Sequence, residues 1–184
     1  MGVSGIDPIS QPVLNTPYER PKRYWELGID NRALNRTAEG RRPSIALLPV
    51  PKSRENVVEQ PVLPLGPENY NATVNDIRQL VDAWRDDGYQ GATAVSRRLL
   101  HHWRSEDNVP RLFFAQVEAL ETLIWITEVA RSDHPARVAI EDAAREHNDG
   151  IVRYCTKMAT GTGKTAVMGM VIAWNAANVA RGGG

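Results

Sequence analysis

Cysteine is almost absent: Cys155 stands alone among 184 residues. That excludes a disulfide framework and any cysteine-cluster metal site, and it fits a reducing compartment. Net charge is missing too. Twenty-two Lys+Arg against twenty-two Asp+Glu give no global basic field of the kind that announces nucleic acid and no acidic excess of a solvating tail. Any charged site must therefore be local. The longest apolar run, Ala166 to Trp174, falls far short of the roughly 18 residues that begin to indicate a membrane span, so no membrane span is expected. The opening MGVSGIDPISQP has neither the basic start nor the apolar centre of an export signal, and the expected location is cytoplasmic. Two N-x-T sequons, at Asn35 and Asn71, are then chance matches. With 42% hydrophobic and 24% charged residues, the chain can supply one globular domain together with an arm.

Proline is unevenly spread. Of 12 prolines, all but Pro110 and Pro135 lie between Pro8 and Pro67, where each removes a backbone donor and fixes φ. Residues 1–72 are accordingly expected to be an extended, Pro-rich, turn-rich arm with a few short strands, such as Ser44 to Val50. The arm also carries Tyr18, Tyr24, Trp25, Ile45, Leu47, Leu48 and Val50, more apolar bulk than a solvated linker holds. Residues 73–150 change character. Val74, Ile77, Leu80, Val81 and Trp84 recur at helical steps and predict a helix that stops at Asp86-Asp87-Gly88. Further helices are predicted from about Thr93 to Arg104, from about Phe113 to Val129, and from Pro135 to His147 with Asp133 as a cap. Residues 151–184 form the last region. Ile151 to Lys157 has strand character and leads through MATGTGKT into the apolar helical run VMGMVIAWNAANVA.

Strand, glycine loop, Lys-Thr and helix in that order are the context a phosphate-binding loop requires. The loop turns backbone N–H groups around phosphate oxygens, and the following helix presents its positive end. Thr160, Gly161, Thr162, Gly163, Lys164 and Thr165 are the candidate nucleotide ligands. Gly161 and Gly163 allow the bend and the close approach, Lys164 reaches the β- and γ-phosphates, and the Thr165 hydroxyl is the candidate Mg²⁺ ligand. G-x-G-K-[ST] should arise by chance in well under about 1% of chains this long. Met158 stands where the strict pattern has glycine, so the loop follows a looser form.

MATGTGKT together with the upstream RLFFAQVEALETLIWI resembles the first motifs of DEAD/DEAH-box helicase-like proteins, in particular the N-terminal part of the restriction (Res) subunit of type III restriction enzymes. LNTPYERPKRYWEL and EGRRPS resemble the leader that precedes the motor in that family. The resemblance implies an α/β fragment, mostly α-helical behind its extended arm, ending in the first strand, P-loop and helix of a RecA-like P-loop NTPase domain. It implies ATP and Mg²⁺ as cofactors, DNA as the partner of the full-length protein, and a DNA-modification methyltransferase subunit as a further partner. It also places Gln116 where such helicases carry an adenine-reading glutamine, whose amide can pair with adenine N6 and N7.

Several parts of such a motor have no counterpart here. No Asp or Glu follows Lys164, so an Asp-Glu box cannot lie in its usual order. The Ile140-Glu141-Asp142 stretch precedes the loop and is expected to be solvated surface. No lysine has a Glu two positions before it, as nuclease chemistry of this kind would want. No catalytic residue is therefore assigned. The expectation is a piece of a larger ATP-dependent enzyme, with an apolar surface around Val167, Met168, Val171, Ile172 and Trp174 left partly exposed. The alternative is a helical interaction module or truncated product that docks on partner subunits and turns over no nucleotide. A small P-loop kinase is disfavoured, because its lid and base residues should follow the loop. Among the remaining residues, His101-His102 and the tryptophans are expected to be structural, Arg97, Arg98, Arg104 and Arg111 form the best local basic patch, and Cys155 is expected to be a small buried hydrophobe.

Overall fold

The computed structural model describes residues 12–28, 32–45, 71–147 and 151–182. The chain divides into two compact units, Met1–Asn71 and Ala72–Gly184. The first is built on an antiparallel hairpin of β1 (Arg23–Leu27) and β2 (Ala33–Glu39), with Arg23 opposite Glu39, Trp25 opposite Thr37 and an irregularity between Trp25 and Leu27. Asn15 straps the leader to this hairpin. Its Nδ2 donates to the Arg23 carbonyl at 2.7 Å, and its Oδ1 accepts from the Lys22 and Arg23 amides at 2.9 and 3.1 Å. The Trp25 indole donates to the Pro12 carbonyl at 3.0 Å. The sequence pattern does not single out these two strands, and the strand it predicts over Ser44 to Val50 lies outside the described residues beyond Ile45.

The second unit is helical. α1 (Ala72–Asp86), α2 (Ala94–Arg104), α3 (Phe114–Ile124), a π-helical turn (Trp125–Val129), α4 (Pro135–His147) and α5 (Lys164–Ala180) follow in order. α3 is the hub, packing against α1, α2 and α5. Its broad apolar face explains this: Val117, Leu120 and Ile124 are buried with Ile77, Val81 and Trp84 of α1 and Leu100 and Trp103 of α2. Several helix ends have a visible cause. Thr93 caps α2 by accepting from the Ser96 amide at 3.1 Å, which satisfies one of the orphan donors of a helix start. Gly88 and Gly91, both at positive φ, carry the turn between α1 and α2. At α4 the cap differs from expectation. His134 Nδ1 accepts from the Ala136 amide at 3.2 Å, whereas Asp133 is drawn into an ion pair with Arg131 at 2.9 Å.

Buried charge ties α1, α2 and α3 together. Glu121 is fully buried and accepts from Arg85 Nε at 3.0 and 2.9 Å, from Arg85 Nη2 at 2.5 Å and from Arg104 Nη1 at 3.1 Å. Arg85 also pairs with Asp82 and lies over the Phe114 ring. Tyr89 completes the cluster, donating its hydroxyl to Glu121 Oε1 at 2.5 Å from a backbone with φ of 64°. A left-handed backbone at an aromatic residue costs free energy, and this hydrogen bond helps hold it. Burial, then the charge and hydrogen bond of Glu121, push the Tyr89 phenol well above its ordinary range. Burial works against the Arg85 charge, yet the Glu121 and Asp82 contacts outweigh it and raise the guanidinium.

Ile151 to Lys157 departs from the sequence expectation. The segment joins no ladder and is exposed throughout, with Ile151, Val152 and Tyr154 among the exposed apolar side chains. Strand propensity describes a fit to a pleated, paired surface, and no described residue supplies the pairing edge. Cys155 is exposed for the same reason, contrary to the expectation of burial.

Candidate functional site

The glycine loop opens directly onto α5. Gly161 and Gly163 both take left-handed backbone, with φ of 81° and 76°, and Gly163 is the residue that starts the helix. A left-handed residue in a turn can leave neighbouring backbone N–H groups facing outward to an anion, although here the Thr162 N–H between the two glycines donates to the Ala159 carbonyl at 3.5 Å. The Gly161, Gly163, Lys164 and Thr165 amides have no acceptor among the described residues, whereas Ala166 and Val167 already donate to the Gly163 carbonyl at 3.0 and 3.3 Å. These orphan donors stand at the positive end of α5, where the helix dipole favours an anion.

The two glycines are required for different reasons. A Cβ on Gly161 would meet nothing within 4 Å, so that position needs glycine for its backbone alone. A Cβ on Gly163 would lie 2.1 Å from Gln116 Nε2, so the close approach there is to a side chain of the protein itself as well as to any ligand.

Gln116 is not a solvated side chain on the surface of α3. It is 7% exposed on the first turn of α3. Its Oε1 accepts from the Phe113 amide at 2.7 Å, and its Nε2 donates to the Gly163 carbonyl at 3.4 Å. An amide oxygen has two lone pairs and an amide nitrogen two hydrogens, so each atom keeps one valence for a further partner. The side chain is thus fixed between its own helix and the loop, with the donor and acceptor pair that an adenine edge needs.

Lys164 and Thr162 converge on one carbonyl. Lys164 Nζ donates to Ala159 O at 3.1 Å, and the Thr162 hydroxyl donates to the same oxygen at 2.7 Å. Ala159 O therefore stands in the acceptor role that a phosphate oxygen would take from the lysine. Lys164, Thr165 and Thr160 are exposed, so their side chains can reach a ligand in front of the loop. Met158, which breaks the strict motif, is half-buried and packs against the helical core. The loop's entry is thereby pinned on one side.

The other sequence candidates are dispersed. Glu141 and Asp142 are engaged on α4, Glu141 with Arg137 at 2.8 Å and Arg145 at 3.3 Å, and Asp142 with Arg145 at 2.6 Å. The hydrogen bond from Arg137, followed in effect by its charge, holds the Glu141 carboxyl below its ordinary range. The arginine patch is partly neutralised from within, since Arg104 reaches Glu121 and Arg111 reaches Glu106 at 2.6 Å. Trp84, Trp103 and Trp125 are buried anchors, and Trp174 is half-buried against the core. Among the described residues no three His, Cys, Asp or Glu side chains gather into a metal-holding group, and no helix is long and apolar enough to cross a membrane.

Two acids and their partners escaped the sequence reading. Glu121 lies inside the most apolar helix, and Glu128 sits in the π-helical turn, accepting from Ser96, Trp174 and the Thr93 amide. The available signal was the acids themselves, spaced through an otherwise apolar run. Comparison with family models, with curated proteins and with solved structures gave no match for this chain.

Proposed function

We propose that the loop from Met158 to Thr165 binds the triphosphate of ATP with Mg²⁺, and that the chain is the ATP-binding N-terminal portion of a DNA-acting, helicase-like restriction subunit. One observation carries the reading: unpartnered amides at Gly161, Gly163, Lys164 and Thr165 lie at the start of α5, with two left-handed glycines shaping the turn. Binding moves Lys164 Nζ from Ala159 O to the β- and γ-phosphates. The Thr165 hydroxyl would hold Mg²⁺, whose charge would offset that of the phosphates. Gln116, fixed against the loop, offers its remaining donor and acceptor to the adenine edge. In the whole enzyme, ATP hydrolysis would drive action on DNA, in company with a modification methyltransferase subunit. No general base for that hydrolysis is assigned within this chain.

Calorimetric titration with MgATP tests the proposal. Wild type should bind, and Lys164→Ala should weaken binding roughly 10–100-fold, as expected for loss of a charge-assisted contact. The second reading, a helical docking module, draws support from α5, whose Met168, Ile172 and Val179 are 64, 67 and 72% exposed. Equal, negligible MgATP affinity in wild type and Lys164→Ala would favour it.

A further inference from the structure

α5 is apolar nearly all round, and this creates a problem of register. Val167 and Met170 are buried while Met168, Ile172 and Val179 face outward. A helix with apolar side chains on every face has no apolar reason to prefer one of them. A slip by one residue would move the loop's first amides by about 1.5 Å and rotate them by about 100°. Polar contacts with fixed donors and acceptors can decide the matter, because a slip leaves them unmade.

Such contacts gather at one point. Glu128 Oε1 accepts from the Ser96 hydroxyl at 2.6 Å and from the Trp174 indole N–H at 2.9 Å, and Glu128 Oε2 accepts from the Thr93 amide at 3.0 Å. Ser96 is fully buried, and its oxygen also receives the Trp174 indole at 2.8 Å and the Asn178 amide at 3.3 Å. Thr93 donates its hydroxyl to Asn178 Oδ1 at 2.9 Å. Trp174 and Asn178 lie one turn apart on the inner face of α5. The donors to the carboxylate are all neutral; among the described residues Glu128 has no ion-pair partner. Glu128 is aimed by the π-helical turn, whose widened ring is closed by the Ala130 amide on the Trp125 carbonyl at 2.7 Å. Turns of this kind recur at functional sites.

The geometry points to Glu128 as the positioning residue of the phosphate loop. Through Trp174 and Ser96 it fixes which face of α5 meets the bundle, and so where the amides of Gly163, Lys164 and Thr165 stand relative to Gln116. Glu128 touches no ligand; it acts through α5. The consequence for nucleotide affinity rests on the reading of the loop as a triphosphate site, whereas the anchoring of α5 does not.

Glu128→Gln is the direct test in the full chain. It preserves size, but its amide nitrogen must face a donor, Thr93 N–H or the Trp174 indole, in either orientation. Amide hydrogen exchange in α5 should quicken about tenfold, the loss of one charge-assisted hydrogen bond, while α1 amides stay unchanged. The Trp174 indole N–H resonance should move and exchange faster. MgATP affinity should fall roughly five- to tenfold, a change that a purely local packing role would not produce. Trp174→Phe, which keeps the ring bulk and drops the N–H, should act in the same direction. Unchanged α5 exchange in both variants overturns the anchor. Quickened exchange with undiminished MgATP affinity overturns the link to the loop. Failure of wild type itself to bind MgATP overturns the triphosphate reading, and the exchange comparison still decides the anchor.

Discussion

Glu121 and Glu128 lie on the same central helical run, and their charges are met by opposite means. Glu121 is fully buried between Arg85 and Arg104 with Tyr89 hydrogen-bonded to it. Glu128 is half-buried among a backbone amide, a hydroxyl and an indole. The first joins α1 and α2 to α3 and makes the bundle. The second joins α5 to that bundle and sets the loop. The contrast teaches that charge pairing here serves cohesion, while neutral donors, with stricter geometry and less desolvation to offset, serve alignment.

The largest expected effect separates the two acids. Glu121→Ala leaves Arg85 buried without its main partner and should cost about 3–5 kcal/mol, a large share of the roughly 5–15 kcal/mol that stabilises a domain. Thermal unfolding should fall by about 10 °C or more, while Glu128→Gln shifts it by only a few degrees. Equal losses would erase the division of labour.

The loop's glycines sharpen the comparison next. Gly163→Ala forces a Cβ toward Gln116 Nε2 on a left-handed backbone and should cost about 1–3 kcal/mol in urea unfolding. Gly161→Ala meets open space and should cost less, about 1 kcal/mol for the backbone alone. Adding Gln116→Ala to Gly163→Ala should recover part of the larger loss and none of the smaller. Additive losses would mean that Gln116 and Gly163 do not press on each other.

A smaller effect depends on pH. The Tyr89 phenol is raised in the folded state above its ordinary value of about 10, so the fold favours its neutral form. That contribution is fully present below the unfolded value and is lost as pH rises through the folded one. Absorbance titration should show one tyrosine ionising only as the helices unfold, and Tyr89→Phe should remove that phase. Ionisation of Tyr89 in the ordinary range, with the helices intact, would contradict its pairing with Glu121.

Much of this arrangement was legible. Helical periodicity locates α1 and α2, because each buries one stripe against α3, while α3 and α5 stand out as apolar runs and the order of strand-like run, glycine loop, Lys-Thr and helix marks the loop. The π-helical turn was not legible, since widening one hydrogen-bonded ring leaves no trace in composition. The Arg85–Glu121 contact was missed because charged residues within a helical pattern read as solvated face. The strand character of Ile151 to Lys157 was read from side chains, yet a ladder depends on a partner that those side chains do not encode. Gln116 was placed beside the loop by resemblance; its capping of α3 and its pressure on Gly163 emerged only from three-dimensional packing.

The central claim is that the amides of Gly161, Gly163, Lys164 and Thr165 grip a triphosphate. Backbone amide resonances of Gly161, Gly163, Lys164 and Thr165, followed during titration with MgATP, address it most directly. Large, saturable shifts at these four residues, lost in Lys164→Ala, are the expected result. Resonances that stay in place at millimolar MgATP, or shifts confined to residues away from the loop, would contradict it.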